Sequence, residues 1–574
     1  MTVEPEEAGD LRAALRAGYA CTAAWAELLD RINVFPVADG DTGRNMVVSL
    51  APLRDGTATD ATLADRLLLS ARGNSGNIAC AFMRALLDGN GTLAERCVRG
   101  AALARQAVAI PQPGTMLTVL DALAAGVDKG LSPDGLDALL SGLAQVVSET
   151  TQAQASLRDS NVVDSGALGM LVFLDGMLRV YFGLAQAGYA LGDRFRALIS
   201  FERGISVESD CGFCVDAVVR GPRPSDAALA RIGSEVVVLH HGDLWKVHLH
   251  AADVDKARAA LGGLGEIVRW SWDDLHEQMS VRPAETNIDV HIMTDGAASL
   301  SRREAEKLGV TLLDSHVNLG DISLPETRLA PEDVYAAMRR GVRVSTSQAS
   351  TYERHKHYEH VVSQWPNALY LCVGSVYTGN HAVAQAWQSS HPQGARMTLV
   401  DSGTASGRLA VVVRATAYAA GACRPVEGLA DFARATLARA EEYIFLERLE
   451  YLARGGRMSK AGAFFGDALH LAPVVSPLAD GARKVALLRK QEDKLVFACE
   501  RVRKAFEPAL GHGYLLLQHS DNRDWVVEQV LPRLRDVAPE AEIVVGALSL
   551  TTGVHTGPGS WAIAMLPDVS SQGA

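Results

Sequence analysis

Asp39 and Asp41 stand one residue apart in the glycine-rich stretch NVFPVADGDTGRNM (33–46). Two like charges held that close repel, so the pair needs a cation between the carboxylates or solvent around them. The plain alternative is a solvated Asp-Gly turn. If a cation is held, hard carboxylate oxygens suit Mg²⁺, which takes one or two carboxylates and shares its shell with substrate phosphates. A second glycine-flanked loop, ARGNSGN (71–77), offers Asn74, Ser75 and backbone N–H groups that could cradle phosphate oxygens. Its plain reading is a turn. PGTMLTVLD (113–121) and NVVDSGALGM (161–170) repeat the loop-then-helix design, so four such loops could gather at one end of a helical bundle.

Soft ligands come later in the chain. Cys211 and Cys214 form a Cys-x-x-Cys, and WKVHLH carries His248 and His250. Residues i and i+2 on a strand share a face, so both imidazoles could meet one metal, with zinc the usual partner of such ligands. A redox dithiol and an ordinary half-buried strand are the alternatives, although a thioredoxin-like strand–helix context for the dithiol is missing. In the last half, small-residue loops recur: MTDGAASL (293–300), RVSTSQAS (343–350), VGSVYTGN (373–380), VDSGTASG (400–407), LEYLARGGRMSK (449–460) and HTGPG (555–559). Loops at strand ends of an open α/β sheet are where ligands bind. Thr346 and Ser375, with Arg457 and His519, suit a carboxylate or a phosphate. Each also has a structural reading, since Thr and Ser cap helices, a lone Arg is usually solvated and a lone His is usually structural.

These residues need elements to hold them. Residues 11–200 carry apolar positions at helical spacing, interrupted by the glycine loops. From about 205 the pattern changes to short β-type runs, CGFCVDAVVRG, EVVVLHHGDLWKVHLHA and GEIVRWSW, with one helix in DVDKARAALGGLG. This predicts a small α+β domain over 201–283, closed by a linker in VRPAETN. From 284 to 574 strands and helices alternate, from IDVHIMTDG through ALYLCVG and RMTLVDSG to a long helix over 406–421. That alternation predicts an α/β domain with a largely parallel sheet. A second lobe begins near 440 and holds GYLLLQHSD and AEIVVGALS. The expected architecture is therefore multidomain: helical over 1–200, small α+β, then two-lobed α/β.

The 574 residues suffice for several domains, and 48% hydrophobic content supplies a core. A net charge of −12, from 55 Lys+Arg against 67 Asp+Glu, argues against a general nucleic-acid binder. The acidic start MTVEPEEAGD has no apolar signal region, and the longest apolar run carries Arg414, so neither secretion nor stable membrane insertion is expected. Eight scattered cysteines fit a reducing cytoplasm better than a disulfide scaffold.

Over roughly 15–180, NVFPVADGDTGRNM, ARGNSGN, PGTMLTVL and VVDSGALG together resemble the DhaL-like nucleotide-binding domain of dihydroxyacetone kinases. They are closer still to the kinase component of bacterial fatty acid kinase (FakA-type), with Ala38 in place of the usual proline. The resemblance implies a helical barrel with ATP and Mg²⁺ at one end. Asp39 and Asp41 would ligate metal, with Asn33 in place of a third carboxylate. Thr42, Asn45, Asn74, Ser75, Gly76, Thr115 and Met116 would surround the nucleotide. The middle region is similar to that of the same FakA-type component, whose Zn²⁺ ligands match Cys214, His248 and His250, with Cys211 an added fourth candidate. Over 288–568, TSQ, EYL…GGR and HTGPG resemble the DegV family of fatty-acid carriers (FakB-type). That resemblance puts a lipid carboxyl near Thr346, Ser375, Arg457 and His519. Thr378 is a substitute for Ser375, because GSVYTGN departs from the family pattern. Lys460 and Arg489 match positions implicated in docking.

The expected activity is phosphorylation of a bound long-chain fatty acid by Mg-ATP to an acyl phosphate, with Arg457 assisting Asp39 and Asp41. The acyl phosphate would feed acyl-phosphate-using acyltransferases in phospholipid synthesis. The kinase family implies a homodimer, and the short linker suggests transfer between its two chains. The rivals are a kinase for a small hydroxyketone, which would have no lipid tunnel, and a non-catalytic lipid-binding regulator, which would transfer no phosphate.

Overall fold

The computed structural model describes residues 9–35, 39–127, 131–184, 191–199, 212–275, 289–320, 322–421, 425–454 and 472–568. Ala38, Cys211, Arg457, Lys460 and the VRPAETN linker lie outside the described residues. The chain divides into two units, Met1–Arg282 and Pro283–Ala574. No described helix is long and apolar enough to cross a membrane.

The described residues of the first unit begin with the helices α1 (Leu11–Arg31), α2 (Thr42–Leu50), α3 (Asp60–Ser70), α4 (Gly73–Leu87), α5 (Leu93–Ala107), α6 (Met116–Val127), α7 (Leu136–Glu149), α8 (Ala155–Ser160), α9 (Ser165–Tyr181) and α10 (Leu191–Phe195). Their starts are written in the sequence. Asp10 caps α1, Thr59 caps α3, and Thr92 with Glu95 closes a capping box on α5. Each such cap is worth about 1 kcal/mol. The packing runs round a ring: α1 on α2, α2 on α4, α4 on α5, α5 on α6, and α6 on α9, which returns to α1. α9 is the staff of this barrel and is buried over most of its length, which explains why its sequence is apolar nearly all round.

A four-stranded antiparallel sheet follows, made of β1 (Phe213–Arg220), β2 (Ser234–His241), β3 (Leu244–Ala251) and β4 (Glu266–Asp274) in the order β2-β3-β1-β4. The short α11 (Asp226–Leu229) and α12 (Val254–Gly262) connect its strands. One face is the apolar core of Val215, Ala217, Val219, Trp245, Val247 and Leu249. Helices and sheet belong to one unit and touch directly. The Ala109 N–H donates to the Val236 carbonyl at 3.1 Å, Arg269 donates to the Leu69 carbonyl at 2.9 Å, and Arg84 donates to the His240 carbonyl at 3.1 Å.

In the second unit, β5 (Val290–Asp295), β6 (Val310–Leu313), β10 (Asn367–Cys372) and β11 (Met397–Asp401) form an all-parallel sheet in the order β11-β10-β5-β6. Apolar side chains leave it on both faces, so its strands are largely apolar rather than alternating. Along β10, Leu369 and Leu371 enter one core while Ala368, Tyr370 and Cys372 enter another. The second lobe departs from a parallel expectation. Its strands are β12 (Glu441–Phe445), β13 (Ala472–Leu478), β14 (Gly481–Leu488), β15 (Gly513–His519), β16 (Ala541–Ala547) and β17 (Trp561–Pro567). They form one mixed sheet in the order β14-β13-β12-β17-β15-β16, where β15–β16 is the parallel pair and the other neighbours are antiparallel. The connections decide this: a helical crossover joins β15 to β16, whereas β13 and β14 meet in a tight hairpin. A small antiparallel sheet of β7 (His316–Leu319), β8 (Ile322–Pro325) and β9 (Val344–Ser347) was not expected, because four-residue strands carry little periodicity. The helix Ser406–Ala420 lies between the lobes, sharing a core with Leu369 of one sheet and Leu516 of the other.

Candidate metal and nucleotide site

The antiparallel register of β1 and β3 sets opposite residues side by side: Cys214 faces His250, and Asp216 faces His248. Because side chains alternate across a strand, Cys214 and Asp216 share one face with Lys246, His248 and His250. The other face is the apolar core. On β4, Asp273 is the register partner of Cys214. Cys214, Asp216, Lys246, His248 and His250 are all buried on this face. They are covered by the helical barrel, not by water.

At that contact stand the two carboxylates. One ligand atom from each of Asp39, Asp41 and Cys214 lies within 4.8 Å of the others, and the same holds for Cys214, His248 and His250. Cys214 therefore belongs to both groups. The hard-oxygen pair from the helical part and the Cys/His set from the sheet form one continuous cluster. Asn33 donates its amide to Asp39, so its nitrogen rather than its oxygen faces the carboxylate. Its oxygen accepts from Ser165 Oγ at 3.4 Å.

Four helix starts converge beside this cluster. Asp41 is the residue before α2, and Ser165, the first residue of α9, donates to Thr42 Oγ1 at 3.0 Å. A methyl group placed on Gly166 would lie 3.3 Å from Ser75 Oγ on α4 and 3.5 Å from Met116 at the start of α6. Gly73 opens α4 at φ +60°, and a Cβ there would lie 2.1 Å from the Asn45 amide nitrogen, so only glycine fits. Thr42, Asn45, Asn74, Ser75, Gly76 and Met116 are thus gathered around converging N–H groups, an arrangement that favours anions. Thr115 precedes α6 and donates its hydroxyl to the Gln112 carbonyl at 3.0 Å. Asn74 Oδ1 is buried with no hydrogen-bond partner.

The cluster crowds buried acidic groups together. Burial, then the charge of Asp41, pushes the Asp39 carboxyl well above its ordinary range. Burial also raises Asp41, against the pull of Arg44, Asn45 and His248. The Cys214 thiol is pushed up by burial and by the surrounding Asp41, Asp39, Asp216 and Asp273. Burial and the neighbouring His248 push His250 down to about 3. His248 Nδ1 faces Asp216 Oδ2 at 3.4 Å, whereas His248 Nε2 and His250 Nδ1 are buried without a hydrogen-bond partner. Such orphans are costly in a protein interior. A buried thiol and two buried imidazoles with unpaired nitrogens fit a zinc-type ion held by Cys214, His248 and His250. The hard pair Asp39 and Asp41 fits Mg²⁺.

In the second unit the residues of interest pair with neighbouring side chains and backbone. Thr346 Oγ1 lies 3.1 Å from His555 Nε2 of the HTGPG loop. Gln348 donates to Thr378 Oγ1 at 2.7 Å, and the exposed Ser375 donates its N–H to Asp401 at 3.1 Å. His519 sits at the end of β15 with Nδ1 3.0 Å from the Ser520 carbonyl. Arg489 lies just beyond the end of β14.

Several residues escaped the sequence reading. Asp216 and Lys246 are 3.1 Å apart, and Asp216 Oδ2 also accepts from the Gly73 N–H at 3.3 Å. Strand alternation alone would have placed Asp216 beside Cys214. Asp164 caps α9 by accepting from the Ala167 N–H at 2.7 Å, and burial pushes its carboxyl up to about 7. His555 was quoted within HTGPG, but its pairing with Thr346 spans 209 residues and leaves no local signal.

Residues 36–179 match the DAK2 domain, residues 210–282 the FakA-like middle domain of fatty acid kinase, and residues 289–568 the DegV family. Among curated proteins, uncharacterized proteins of Staphylococcus aureus strains USA300 and COL are each 28% identical over 293 residues, which is 44% of this chain and 53% of theirs. The chain thus spans about half the length of the curated relatives it matches. Among solved structures, a fatty-acid-binding DegV family protein from Thermus thermophilus is 21% identical with a TM-score of 0.44, covering 49% of this chain and 99% of that one. DegV of Bacillus subtilis, a fatty acid binding protein, is 18% identical with a TM-score of 0.45, covering 49% of this chain and 100% of that one. The chain carries, in order, a DAK2 (DhaL-like) kinase-type domain, a FakA-like middle domain and a DegV-family domain.

Proposed function

We propose that this chain is a fatty acid kinase that moves the γ-phosphoryl group of ATP onto the carboxylate of a fatty acid carried by its DegV-family domain. A carboxylate oxygen forms the new P–O bond as the bond to ADP breaks, giving an acyl phosphate. The observation that carries this reading is the single cluster in which Asp39 and Asp41 meet Cys214, His248 and His250 beside converging helix starts.

Asp39 and Asp41 would hold Mg²⁺, with Asn33 orienting Asp39. Cys214, His248 and His250 would hold Zn²⁺, with Cys211 in the remaining position. Bound cations would neutralise the charge that develops on the transferred group. Thr42, Asn45, Asn74, Ser75, Gly76, Thr115 and Met116 would surround the nucleotide. The helix starts offer backbone N–H donors to its phosphates, and burial strengthens each of those bonds by excluding water. In the second unit, Thr346 with His555, Ser375, Thr378, His519 and Arg457 would present the lipid carboxylate. The same reading takes the chain to be a homodimer that supplies acyl-phosphate-using acyltransferases.

The test incubates the purified chain with radiolabelled ATP and a long-chain fatty acid, then traps product with hydroxylamine as the fatty hydroxamate. Hydroxamate formation that depends on ATP and Mg²⁺ is the expected result. Label appearing on dihydroxyacetone but not on a fatty acid would overturn it.

A further inference from the structure

Among the described residues, Asp216 is the carboxylate on the sheet face that reaches both the Cys/His set and the phosphate-type loop. Its Oδ1 lies 3.1 Å from Lys246 Nζ, and its Oδ2 lies 3.4 Å from His248 Nδ1. The same Oδ2 accepts from the backbone N–H of Gly73 at 3.3 Å. Gly73 is the first residue of α4, in the loop whose next residues are Asn74 and Ser75. All three partners are buried, as is Asp216 itself.

Each contact has a physical consequence. A carboxylate beside Nδ1 keeps the proton on that nitrogen, which leaves the lone pair on Nε2 for a metal and fixes the plane of the ring. Lys246 supplies the opposite charge without which a buried carboxylate would be strongly destabilising. The Gly73 N–H has no intrahelical partner at the start of α4, the kind of group that binds phosphate oxygens, and here it donates to Asp216. Its left-handed φ of +60°, with the Asn45 amide beside it, favours glycine at this position. Any shift of this loop on binding an anion moves a donor of Asp216, and Asp216 in turn is the neighbour of His248.

We infer that Asp216 is a positioning residue that orients His248 for a zinc-type ion and couples that ion to occupancy of the phosphate loop through Gly73. This rests on the reading of Cys214, His248 and His250 as metal ligands.

The probe is Co²⁺, which reports its ligand field in the visible spectrum. Metal-free full-length protein is titrated with Co²⁺ alone, and the loaded protein is then titrated with a non-hydrolysable Mg-ATP analogue. Wild-type protein is expected to bind Co²⁺ with a thiolate charge-transfer band and to change its spectrum when the analogue binds. Asp216→Asn, which keeps the shape but loses the charge, is expected to bind Co²⁺ about 10–100-fold more weakly. Its spectrum should no longer respond to the analogue. Asp216→Glu, which restores the charge, should recover part of both effects. Circular dichroism checks that each variant is folded, and if Asp216→Asn is not, Asp216→Glu compared with Lys246→Met carries the same comparison. If the variants match wild type in affinity and in response, the inference fails while the metal reading stands. If wild-type protein takes up no Co²⁺, the metal reading fails and takes this inference with it.

Discussion

The two units keep their chemistry-bearing residues in opposite conditions. In the first, Cys214, His248, His250, Asp39 and Asp41 are buried together, and Nε2 of His248 has no hydrogen-bond partner. In the second, Thr346 is paired with His555, Thr378 with Gln348, and Ser375 with Asp401, at half-buried or exposed positions. Buried unpaired ligands are tolerable only where something charged completes them. Hydroxyls paired to a neighbouring imidazole or amide, as those of Thr346 and Thr378 are, lose little while they wait. Under the proposed function the first site would hold resident cations, and the second would be a set of exchangeable contacts for a ligand that comes and goes.

Removing a carboxylate from the first site should break the comparison most sharply. Asp41→Asn is expected to lower acyl phosphate formation by about 10²–10³-fold, because the lost charge acts on the transition state. Lipid co-purifying with the same variant, measured by mass spectrometry, should match wild type. Near-normal turnover would remove Asp41 from any metal role. Next in size, His250→Ala should reduce zinc from about one ion per chain to a trace by elemental analysis. Zinc that persists would move the ion elsewhere or reduce His250 to a structural residue.

In the second unit the effects should be smaller and graded. Thr346→Ala should weaken fatty acid binding by about 1 kcal/mol, roughly fivefold, by fluorescence displacement, and zinc content should not change. A loss of zinc in this variant would erase the distinction between the units.

The smallest expected effect concerns Asp164. Burial pushes its carboxyl up to about 7 from an ordinary 3.8. The folded chain then keeps a proton that the unfolded chain releases near 4. Its contribution to stability is full below about 4 and is lost as pH rises to about 7. Asp164→Asn still caps α9 but cannot titrate. The fall in Tm between pH 5 and 7.5 should be a few degrees smaller in the variant than in wild type, by calorimetry on metal-free protein. An unchanged slope would mean that Asp164 is ionised in the fold.

How much of this could be read in the sequence depended on range. DGDTG, RGNSGN, PGT and DSGALG each sit at a helix start, and caps and glycines are local signals, so the four loops were legible. Cys214, His248 and His250 were legible as types, and i, i+2 spacing on a strand gave their shared face. What spacing could not give was the register of β1 against β3, which brings Cys214 opposite His250 and adds Asp216. Nor could it give the docking of that sheet on Asp39 and Asp41, which depends on packing across more than 170 residues of chain. The mixed order of the second lobe was missed for a similar reason, since apolar runs such as those of β15 and β17 read the same in parallel and antiparallel sheets. The pairing of Thr346 with His555 needed the fold itself.

The alternation along β3 has a consequence for how this region can change length. Trp245, Val247 and Leu249 point to the core, and Lys246, His248 and His250 point to the barrel. Inserting one residue between Val247 and His248 would reverse the parity of everything after it, sending both imidazoles into the oily side and Leu249 toward the carboxylates. Inserting two would restore the parity and only slide the pair one step along its neighbours. Even steps therefore keep both imidazoles facing the barrel but set His248, in place of His250, opposite Cys214, whereas a change of length at the turn at Gly242 leaves the register of β1 and β3 intact.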